Sequence, residues 1–349
     1  MTHHAFGSLP SGETIDAYTL KSAGGASARI LTYGAIVASL EIPDRSGRLA
    51  DVVLGFDDLR GYLGGHPYFG AMVGRIAGRV TGGRIRVDGR DYLLERNDGR
   101  NHLHGGRRGL DKRVWVARAF REGDGASSLE LAYTSPDGEE GYPGTLEISV
   151  TYTLTASNAL IVDSRATSDR PSPLGLAHHS YFNLAGEQSG TVLGHEVMIS
   201  ADEFVSADGD MTLGARRERV EGSGADLRIP RNLGNALPDL FGSHGDFYLL
   251  RPHGAQGPQS SKLAALVSEP GSGRVLGVFT DESCLQFYTG AMLDGTQVGK
   301  SGEPYAPFAG LCLECQGYPN ATVEDGFGDI IVRPGAPQVR RTIYAFSNG

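Results

Sequence analysis

The chain has 349 residues, 40% of them hydrophobic, and a formal net charge of −9 at pH 7. The negative charge argues against nucleic acid or an anionic membrane as the main partner, because both bind basic surfaces, and it is compatible with a neutral ligand such as a sugar. No apolar run approaches the roughly 18 residues of a membrane-spanning helix. Glycine is abundant, at 51 residues, and helical apolar spacing is scarce, which together predict many strands joined by turns.

The N-terminus and the cysteines indicate the cellular compartment. Residues 1–7, Met-Thr-His-His-Ala-Phe-Gly, lack the basic and apolar regions of a secretory signal. The three cysteines are an odd number and do not make a disulfide framework. We therefore expect a soluble cytoplasmic protein that has neither nucleic acid nor membrane as a partner. The sequence leaves open whether it is a monomer or a homodimer.

The first part of the chain contains several β-rich segments. Residues 28–43 predict a strand pair or one bent strand, because β-branched residues are frequent and Tyr33-Gly34 marks a bulge or kink. Residues 84–94 predict a hairpin, since Asp88-Gly89 favours the type I′ turn that matches strand twist. The other elements predicted here are a turn at 44–47, a strand over 51–56 and a helical turn over 57–63 capped by Asp57.

The rest of the chain continues the strand pattern, with loops rich in glycine and proline between the strands. Residues 254–261 form a polar loop that resembles a linker, but the composition is the same on both sides of it. We therefore predict one all-β domain over residues 1–349. Further strands are predicted over 114–120, 128–133, 146–154, 159–167, 274–280, 284–289, 311–316 and 339–346.

Residues 177–186 concentrate hydrogen-bonding side chains near the middle of the chain. His178 and His179 are adjacent, and a hydroxyl, a phenol and an amide follow them. Histidine suits proton transfer because its unperturbed pKa lies nearest neutral pH. The alternative is that one imidazole faces the core, hydrogen-bonded, and the other faces solvent. The segments 101–106 and 311–316 favour chemistry, because the three stretches together offer a carboxylate and several histidines, which suffice for acid–base catalysis without a cofactor.

Glu314 stands in the otherwise apolar segment 311–316. Burial would raise the pKa of this carboxyl and make it a better base near neutral pH; the alternative is an outward-facing glutamate on a half-buried strand. Cys312 and Cys315 form a C-x-x-C pattern, which normally indicates a metal or redox site. Strand residues three apart point to opposite faces, however, so we expect neither joint chelation nor a disulfide.

His102 and His104 form an H-x-H pair that would lie on one face of an extended strand. The pair resembles the start of a cupin-type metal site, but Gly-Gly-Arg-Arg-Gly at 105–109 stands where that pattern needs a glutamate. We therefore predict no metal and no cofactor. A metal held through His179 and Glu314 remains an alternative.

Residues 74–79, Gly-Arg-Ile-Ala-Gly-Arg, do not form a nucleotide loop, because they lack both glycine-rich phosphate-binding signatures. Arg75 and Arg79 can each donate several hydrogen bonds, which suits an oxygen-rich ligand. The alternative is a pair of solvated surface arginines. Weaker candidates, when viewed alone, are His244, Asp246 and Gln286.

A series of short motifs runs along nearly the whole chain. They are Leu-Thr-Tyr-Gly-Ala at 31–35, Pro-Asp-Arg-Ser-Gly at 43–47, Asp-Val-Val-Leu-Gly-Phe at 51–56, Pro-Tyr-Phe-Gly at 67–70, Gly-Arg-Ile-Ala at 74–77, Leu-His-Gly-Gly at 103–106, Ser-Pro-Asp-Gly-Glu-Glu-Gly-Tyr-Pro-Gly at 135–144, His-Ser-Tyr-Phe-Asn-Leu at 179–184, Gln-Phe-Tyr-Thr-Gly at 286–290, Leu-Glu at 313–314 and Arg-Pro-Gly at 333–335. In this order they resemble the galactose mutarotase family, the aldose 1-epimerases.

The resemblance implies a large antiparallel β-sandwich with its sugar site in an open cleft. It also implies roles for three residues, with Glu314 as the catalytic base, His179 as the general acid and His104 as a second active-site histidine. By the same resemblance, Arg79 contacts the sugar and Gln286 lines the site. The candidate substrate-binding residues are Gly78, Arg79, His104, Tyr181, Asp246 and Gln286.

Three positions depart from the family pattern. Gly78 stands where members often have asparagine, which removes one sugar contact, and His178 also replaces a common asparagine. The family's sugar-binding aspartate usually lies in a Tyr-Asp-His-Asn-Phe-like segment, which here is 242–247. Direct alignment puts His244 at the aspartate position, while Asp246, which we favour, lies two residues further on. These changes concern specificity more than the acid–base pair.

The expected activity is the interconversion of the α and β anomers of a free aldose, such as galactose or glucose, by acid–base ring opening. Two other classes stay open. A glycoside hydrolase needs two carboxylates that flank the scissile bond, and Glu314 has only Asp246 as a plausible mate. A non-catalytic sugar-binding protein on the same fold would bind an aldose without accelerating its mutarotation.

Overall fold

The computed structural model describes residues 2–251 and 261–349. The polar loop predicted at 254–261 therefore lies outside the described residues, apart from Ser261. Within the described ranges, no helix has the length and apolar character needed to cross a membrane.

Strands form most of the regular structure. In the described residues they are β1 (Thr2–Ser8), β2 (Thr14–Lys21), β3 (Ser27–Leu31), β4 (Val37–Pro43), β5 (Leu49–Asp51), β6 (Met72–Val73), β7 (Arg79–Val80), β8 (Arg84–Val87), β9 (Arg90–Leu93), β10 (His102–Leu103), β11 (Val116–Gly123), β12 (Ala126–Ser135), β13 (Leu146–Leu154), β14 (Ala159–Ser168), β15 (Ser172–Pro173), β16 (Ala177–His178), β17 (Tyr181–Phe182), β18 (Glu196–Ile199), β19 (Ala201–Ala207), β20 (Leu213–Arg219), β21 (Arg231–Asn232), β22 (Phe247–Leu250), β23 (Lys262–Ser268), β24 (Arg274–Thr280), β25 (Cys284–Tyr288), β26 (Leu311–Gln316), β27 (Ile331–Val332) and β28 (Gln338–Asn348). The helices are α1 (Leu59–Leu63) and α2 (Leu233–Ala236), with single 3₁₀ turns at Thr81–Gly83, Leu110–Lys112, Glu139–Gly141, Val192–Gly194, Leu237–Asp239 and Phe241–Ser243.

In the part of the chain that the structure describes, three large antiparallel sheets hold 20 of these 28 strands, and the two-stranded ladders β7–β10, β15–β27, β6–β16 and β8–β9 hold the other eight. A nine-stranded sheet has the order β11-β12-β13-β14-β28-β24-β23-β18-β21, a six-stranded sheet the order β17-β26-β25-β22-β19-β20, and a five-stranded sheet the order β1 to β5. Ile30, Val150 and Leu285, one from each sheet, belong to the same buried cluster. The sheets thus pack around a shared core, and the prediction of an all-β antiparallel sandwich is confirmed.

Alternation of apolar and polar residues explains why the strands form and which face they bury. In β13, the side chains of Leu146, Ile148, Val150, Tyr152 and Leu154 are buried, and the intervening polar residues are more exposed. Successive side chains of a strand point to opposite faces, so this sequence buries one face against the core.

Most of the predicted elements are confirmed. The hairpin is β8–β9, and Asp88 and Gly89 have φ values of 47° and 79°, as a type I′ turn requires. Residues 28–43 form the pair β3–β4, and the kink between them includes Gly34 with φ 63°. The strands predicted from residue 114 onward correspond to β11, β12, β13, β14, β24, β25, β26 and β28, with small differences at their ends.

Two local predictions are wrong. The strand predicted over 51–56 ends at Asp51 as β5. The Val53 N–H turns back to the Asp51 carboxylate, Val53 forms only an isolated bridge with Phe182, and the N–H groups of Gly55 and Phe56 donate to tyrosine hydroxyls. The cap of α1 is Asp58, whose carboxylate accepts from the Gly61 N–H at 3.0 Å. Asp57 instead forms an ion pair with Arg29.

Candidate active site

A cleft of about 300 Å³ opens against one face of the six-stranded sheet. Each strand of this sheet contributes a lining residue, and these are Tyr181, Glu314, Gln286, Phe247, Val205 and Leu213. In the ladder, Phe247 is opposite Gln286, which is opposite Glu314. Directly opposed residues of antiparallel strands share a face, so the strand register brings these three side chains together. Loops from the first third of the chain close the other side, with Tyr68, Gly78, Arg79 and His104.

Glu314 lies on the floor of the cleft and is only 2% exposed. Its chain neighbours Leu313 and Cys315 point away from it into the main core. Burial disfavours the charged form and raises the pKa of the Glu314 carboxyl to about 8, while Arg79 acts in the opposite direction. The alternative of a solvent-facing glutamate is therefore wrong, because the Glu314 carboxyl faces the cleft.

The two adjacent histidines, His178 at the end of β16 and His179 directly after it, face opposite sides. His178 points into the core, with ring centroids 6.1 Å from Tyr152 and 5.5 Å from Tyr344. His179 points into the cleft, where its Nε2 is 3.5 Å from Glu314 Oε1. The alternative from the sequence, with one imidazole facing the core and the other facing solvent, is therefore correct for His178 but not for His179, which faces a buried cleft. Burial lowers the pKa of His179 to about 4.

His104 joins this pair from the other wall of the cleft. Its ring lies 5.1 Å from that of His179 and 4.6 Å from that of Tyr68. The backbone N–H of Gly78 donates to His104 Nδ1 at 3.2 Å. His102 does not share this face, because its ring bonds the Glu95 carbonyl and the Tyr142 hydroxyl. The H-x-H pair is therefore not a joint ligand site.

The predicted sugar-binding side chains also lie around the cleft. Arg79 forms an ion pair with Asp98 at 2.7 Å. Gln286 donates from Nε2 to the Phe287 carbonyl at 2.8 Å, and Tyr181 stacks on His179 with ring centroids 5.2 Å apart. Asp246 is buried, one of its carboxylate oxygens has no partner among the described residues, and burial raises its pKa to about 6. His244 lines the same cleft, so both candidates for the family aspartate are near the site.

Comparison with known proteins identifies the family. The sequence model described as aldose 1-epimerase matches residues 16–345. The chain belongs to the aldose 1-epimerase family. It is 42% identical to a galactose mutarotase from Sus scrofa, with 99% of this chain and 98% of the relative covered, and 32% identical to an aldose 1-epimerase from Escherichia coli, with 97% and 96% covered. A solved aldose epimerase homologue from C. elegans superposes with a TM-score of 0.85 at 30% identity, covering 95% of this chain and 99% of that one.

The family's frequent asparagine has no room at position 78 in this structure. Asparagine tolerates the φ of +78° found at Gly78 better than most residues, but a Cβ placed there would lie 2.8 Å from Cγ of Pro319. The departure of Gly78 from the family pattern is thus accompanied by a proline that fills the adjacent space. His178, the other departure, lies outside the cleft and contacts core tyrosines.

One nitrogen each from His104 and His179 and an oxygen of Glu314 lie within 4.8 Å of one another. Such a set resembles the ligand shell of a catalytic metal. A metal-bound histidine normally donates its other ring N–H to an acceptor, but the other ring nitrogen of His104 faces the Gly78 N–H, which is a donor. The His104 environment therefore does not fit a metal ligand.

We expect activity to survive removal of divalent metals. The physical reason is that His104 Nδ1 faces the Gly78 N–H, a donor, whereas a metal-bound histidine needs an acceptor at that nitrogen. Mutarotation rates measured before and after dialysis against EDTA should agree. A loss of rate that returns on adding one equivalent of zinc or iron would contradict this expectation.

The two arginines of 74–79 have different environments. Arg79 reaches the cleft, but Arg75 is fully buried and lies outside it. Its guanidinium donates to the Ser135 hydroxyl and carbonyl, the Pro136 and Pro143 carbonyls and the Ser172 hydroxyl, at 2.8–3.0 Å. Both readings of Arg75 from the sequence, as a ligand contact or as a surface arginine, are therefore wrong, because it holds the loop around residues 135–144 in place.

Replacing Arg75 with methionine should lower the free energy of unfolding by roughly 3–5 kcal/mol, the range for breaking a buried charged network. The substitution leaves several buried carbonyls without donors. Arg84→Met is the matched control, since Arg84 is half exposed and forms a surface ion pair with Asp91, and it should cost at most about 1 kcal/mol. Urea unfolding of both variants provides the measurement, and equal losses would contradict the prediction.

The C-x-x-C cysteines lie on opposite faces of β26, as predicted. Cys312 packs in one core cluster, where its sulfur is 3.7 Å from His179 Nδ1, and Cys315 packs in another. All three cysteines of the chain, including Cys284, are free and buried. They therefore form no disulfide.

Some lining residues were not identified from the sequence. Tyr68 contacts both histidines, with its ring 4.6 Å from His104 and 5.7 Å from His179. Tyr288 lines the cleft from β25. Both belong to family motifs recognised in the sequence, at 67–70 and 286–290. The signal that could have found them is an aromatic residue two positions before a glycine in each motif.

Proposed function

We propose that this protein interconverts the α and β anomers of a free aldose such as galactose or glucose, with Glu314 as general base and His179 as general acid. Mutarotase activity is the activity of the family, and the chain is an isomerase of this class. Galactose enters the proposal through the names of the relatives. The observation that supports the residue roles is the buried pair of Glu314 and His179, 3.5 Å apart on the floor of the cleft.

The mechanism needs one base and one acid at the anomeric centre. Glu314 takes the proton from the anomeric hydroxyl, and His179 protonates the ring oxygen, so that the C1–O5 bond breaks and the open-chain aldehyde forms. Rotation about the C1–C2 bond presents the other face of the carbonyl. Ring closure then runs the same proton transfers in reverse. No step requires an external oxidant or reductant.

Burial sets the resting protonation of the pair. It favours the neutral carboxylic acid of Glu314 and the neutral imidazole of His179. This state holds the same number of protons as the productive carboxylate–imidazolium pair, so the productive form needs only a proton shift. A sugar hydroxyl that donates to the carboxylate favours its charged form. Substrate binding therefore helps to create the base.

The remaining polar groups suit a neutral, hydroxyl-rich ligand. We assign sugar contacts to Arg79, Asp246, Gln286 and Tyr181 around the acid–base pair and His104. Asp246 supports this assignment, because a buried carboxylate oxygen without a partner costs free energy that a sugar hydroxyl would offset. Gly78 contributes backbone rather than a side chain.

Other features of the protein remain proposals. A single domain over residues 1–349 is supported by the nine-stranded sheet, which joins strands from residue 116 to residue 348. Cytoplasmic localisation is supported by the three free cysteines. The net charge of −9 supports a small-molecule partner rather than nucleic acid. We keep monomer and homodimer as the two oligomeric states to be tested by size-exclusion chromatography.

Polarimetry on freshly dissolved single anomers tests the function. The protein should accelerate the approach of α-galactose or α-glucose to rotational equilibrium and should release no monosaccharide from lactose. Release of monosaccharide would favour the glycoside hydrolase, with Glu314 and Asp246 as its carboxylates. Saturable sugar binding with an unchanged rate of mutarotation would favour the non-catalytic binding protein.

A further inference from the structure

We infer that Gly78 is a positioning residue whose main-chain N–H holds His104 as the neutral tautomer with its proton on Nε2. His104 then presents a hydrogen-bond donor, not a base, to the sugar. The choice of sugar as the acceptor rests on the proposed function. The tautomer itself follows from contacts within the protein.

The first observation is the hydrogen bond from the Gly78 N–H to His104 Nδ1, at 3.2 Å. A backbone N–H can only donate, so Nδ1 must carry a lone pair. Burial and the nearby Arg79 and Lys112 lower the pKa of His104 well below its usual value. A neutral imidazole that accepts at Nδ1 carries its proton on Nε2. No described residue bonds Nε2, and His104 lines the cleft.

The second observation explains why a side chain receives this N–H. In the β7–β10 ladder, Leu103 is opposite Arg79, and the His104 N–H donates to the Gly78 carbonyl at 3.1 Å. A regular antiparallel ladder would return the Gly78 N–H to the His104 carbonyl. His104 has φ +48°, which ends the strand and ends the regular ladder. The imidazole takes the place of the carbonyl as acceptor.

The third observation is that this geometry requires glycine at position 78. Two features oppose a larger residue, namely the left-handed φ of +78° and the distance of only 2.8 Å that a Cβ would have from Pro319 Cγ. Any substitution that moves the backbone here also moves the N–H that faces His104. The position therefore acts on the histidine through the main chain.

His102 provides an internal reference with the opposite tautomer. Its Nδ1 lies 2.6 Å from the Glu95 carbonyl, which can only accept, so this nitrogen carries the proton. Its Nε2 accepts from the Tyr142 hydroxyl at 2.6 Å. Two histidines separated by one residue thus carry their protons on different nitrogens. The assignment of His104 can be read against His102 in the same sample.

For the reaction, a fixed Nε2–H gives a donor whose direction does not change during turnover. Such a donor stabilises negative charge as it develops on a sugar oxygen. It also leaves proton abstraction to Glu314, because a protonated Nε2 has no lone pair. His104 and His179 therefore differ in role although their rings lie only 5.1 Å apart.

The test is a long-range ¹H–¹⁵N correlation spectrum of the ¹⁵N-histidine-labelled full-length protein, without sugar, at neutral pH. Spectra of His104→Asn and His102→Asn assign the two rings. We expect the Nε2–H form for His104 and the Nδ1–H form for His102. An Nδ1–H or imidazolium form of His104 would overturn the inference. Because no substrate is present, this result is independent of whether the protein proves to be a mutarotase.

Gly78→Ala tests the positioning role, and Gly82→Ala is its matched control. Gly82 also has a left-handed φ, +64°, but a Cβ there would meet no atom within 4 Å. Gly78→Ala should yield a mixture of His104 tautomers and a roughly tenfold loss of kcat/KM, the value of one lost hydrogen bond. Gly82→Ala should retain the wild-type tautomer and rate. A Gly78→Ala protein in which His104 remains wholly Nε2–H would refute the role of Gly78.

Discussion

Replacing Glu314 with glutamine should lower kcat by about 10²- to 10⁴-fold, the usual contribution of a general acid–base group. The amide keeps the size of the side chain and can still hydrogen-bond the anomeric hydroxyl, but it cannot accept the proton. KM should change much less, since the lost interaction belongs mainly to the transition state. Polarimetric rates on one anomer, wild type beside variant, provide the measurement. A folded variant with near-full kcat would remove Glu314 from the mechanism.

The pH profile gives a second view of the same group. The productive pair, a Glu314 carboxylate with a His179 imidazolium, holds one proton, as does the resting pair. Burial raises the pKa of Glu314 to about 8 and lowers that of His179 to about 4 in the free protein, so the pair holds one proton between these two values. We expect kcat/KM to be highest in this range and to fall on the alkaline side, as the pair loses its proton near pH 8. A kcat/KM that keeps rising through pH 8 would contradict a buried base that works together with His179.

Glu314→Gln should stabilise the protein at alkaline pH. The pKa of Glu314 is higher in the folded than in the unfolded protein. Its ionisation therefore lowers the free energy of unfolding as the pH rises from about 4.3 to about 8. Glutamine carries no such charge and removes this loss. Thermal melts should show a higher Tm for Glu314→Gln than for wild type at pH 9, and no gain at pH 4. These melts also check that the inactive variant is folded.

Replacing His179 with asparagine should also lower kcat by about 10²- to 10⁴-fold. Asparagine can hydrogen-bond the ring oxygen but cannot deliver a proton to it, so ring opening slows while binding persists. His104 should not replace His179 as the proton donor, because the Gly78 N–H binds its Nδ1 and holds it as a neutral imidazole. Rates on a single anomer at several pH values provide the measurement. A much larger loss in His104→Asn than in His179→Asn would assign the acid to the other histidine.

His178→Asn is the matched control for this substitution. His178 is the chain neighbour of His179, and both are buried, but His178 packs against the core rings of Tyr152 and Tyr344. The family commonly has asparagine at this position, so the variant should fold and keep its kcat, with an effect on thermal stability alone. A large loss of kcat in His178→Asn would show that perturbing this strand, rather than losing the proton donor, slows the reaction.

Sequence patterns predicted much of the fold because strand alternation and turn chemistry are local. The alternating residues of β13 and the Asp88-Gly89 turn need no knowledge of the rest of the chain. Two of the strands that were missed, β20 and β1, lack this signal. β20, Leu-Gly-Ala-Arg-Arg-Glu-Arg, is mostly exposed at the edge of its sheet, and β1 is an exposed edge strand too. Their pairing comes from the neighbouring strand rather than from their own apolar pattern.

The sequence by itself determined the family, the all-β class and the opposed faces of Cys312 and Cys315, because ordered motifs and a two-residue period are written in the chain. The family resemblance implied roles for Arg79 and His179, but only the tertiary structure shows that Arg79 reaches the cleft while Arg75 is buried, and that His179 faces the cleft while His178 faces the core. The local pattern treats the members of each pair alike. Which member reaches the site depends on strands and loops far apart in the chain, since positions 79, 104, 179 and 314 meet only when the sheets pack together.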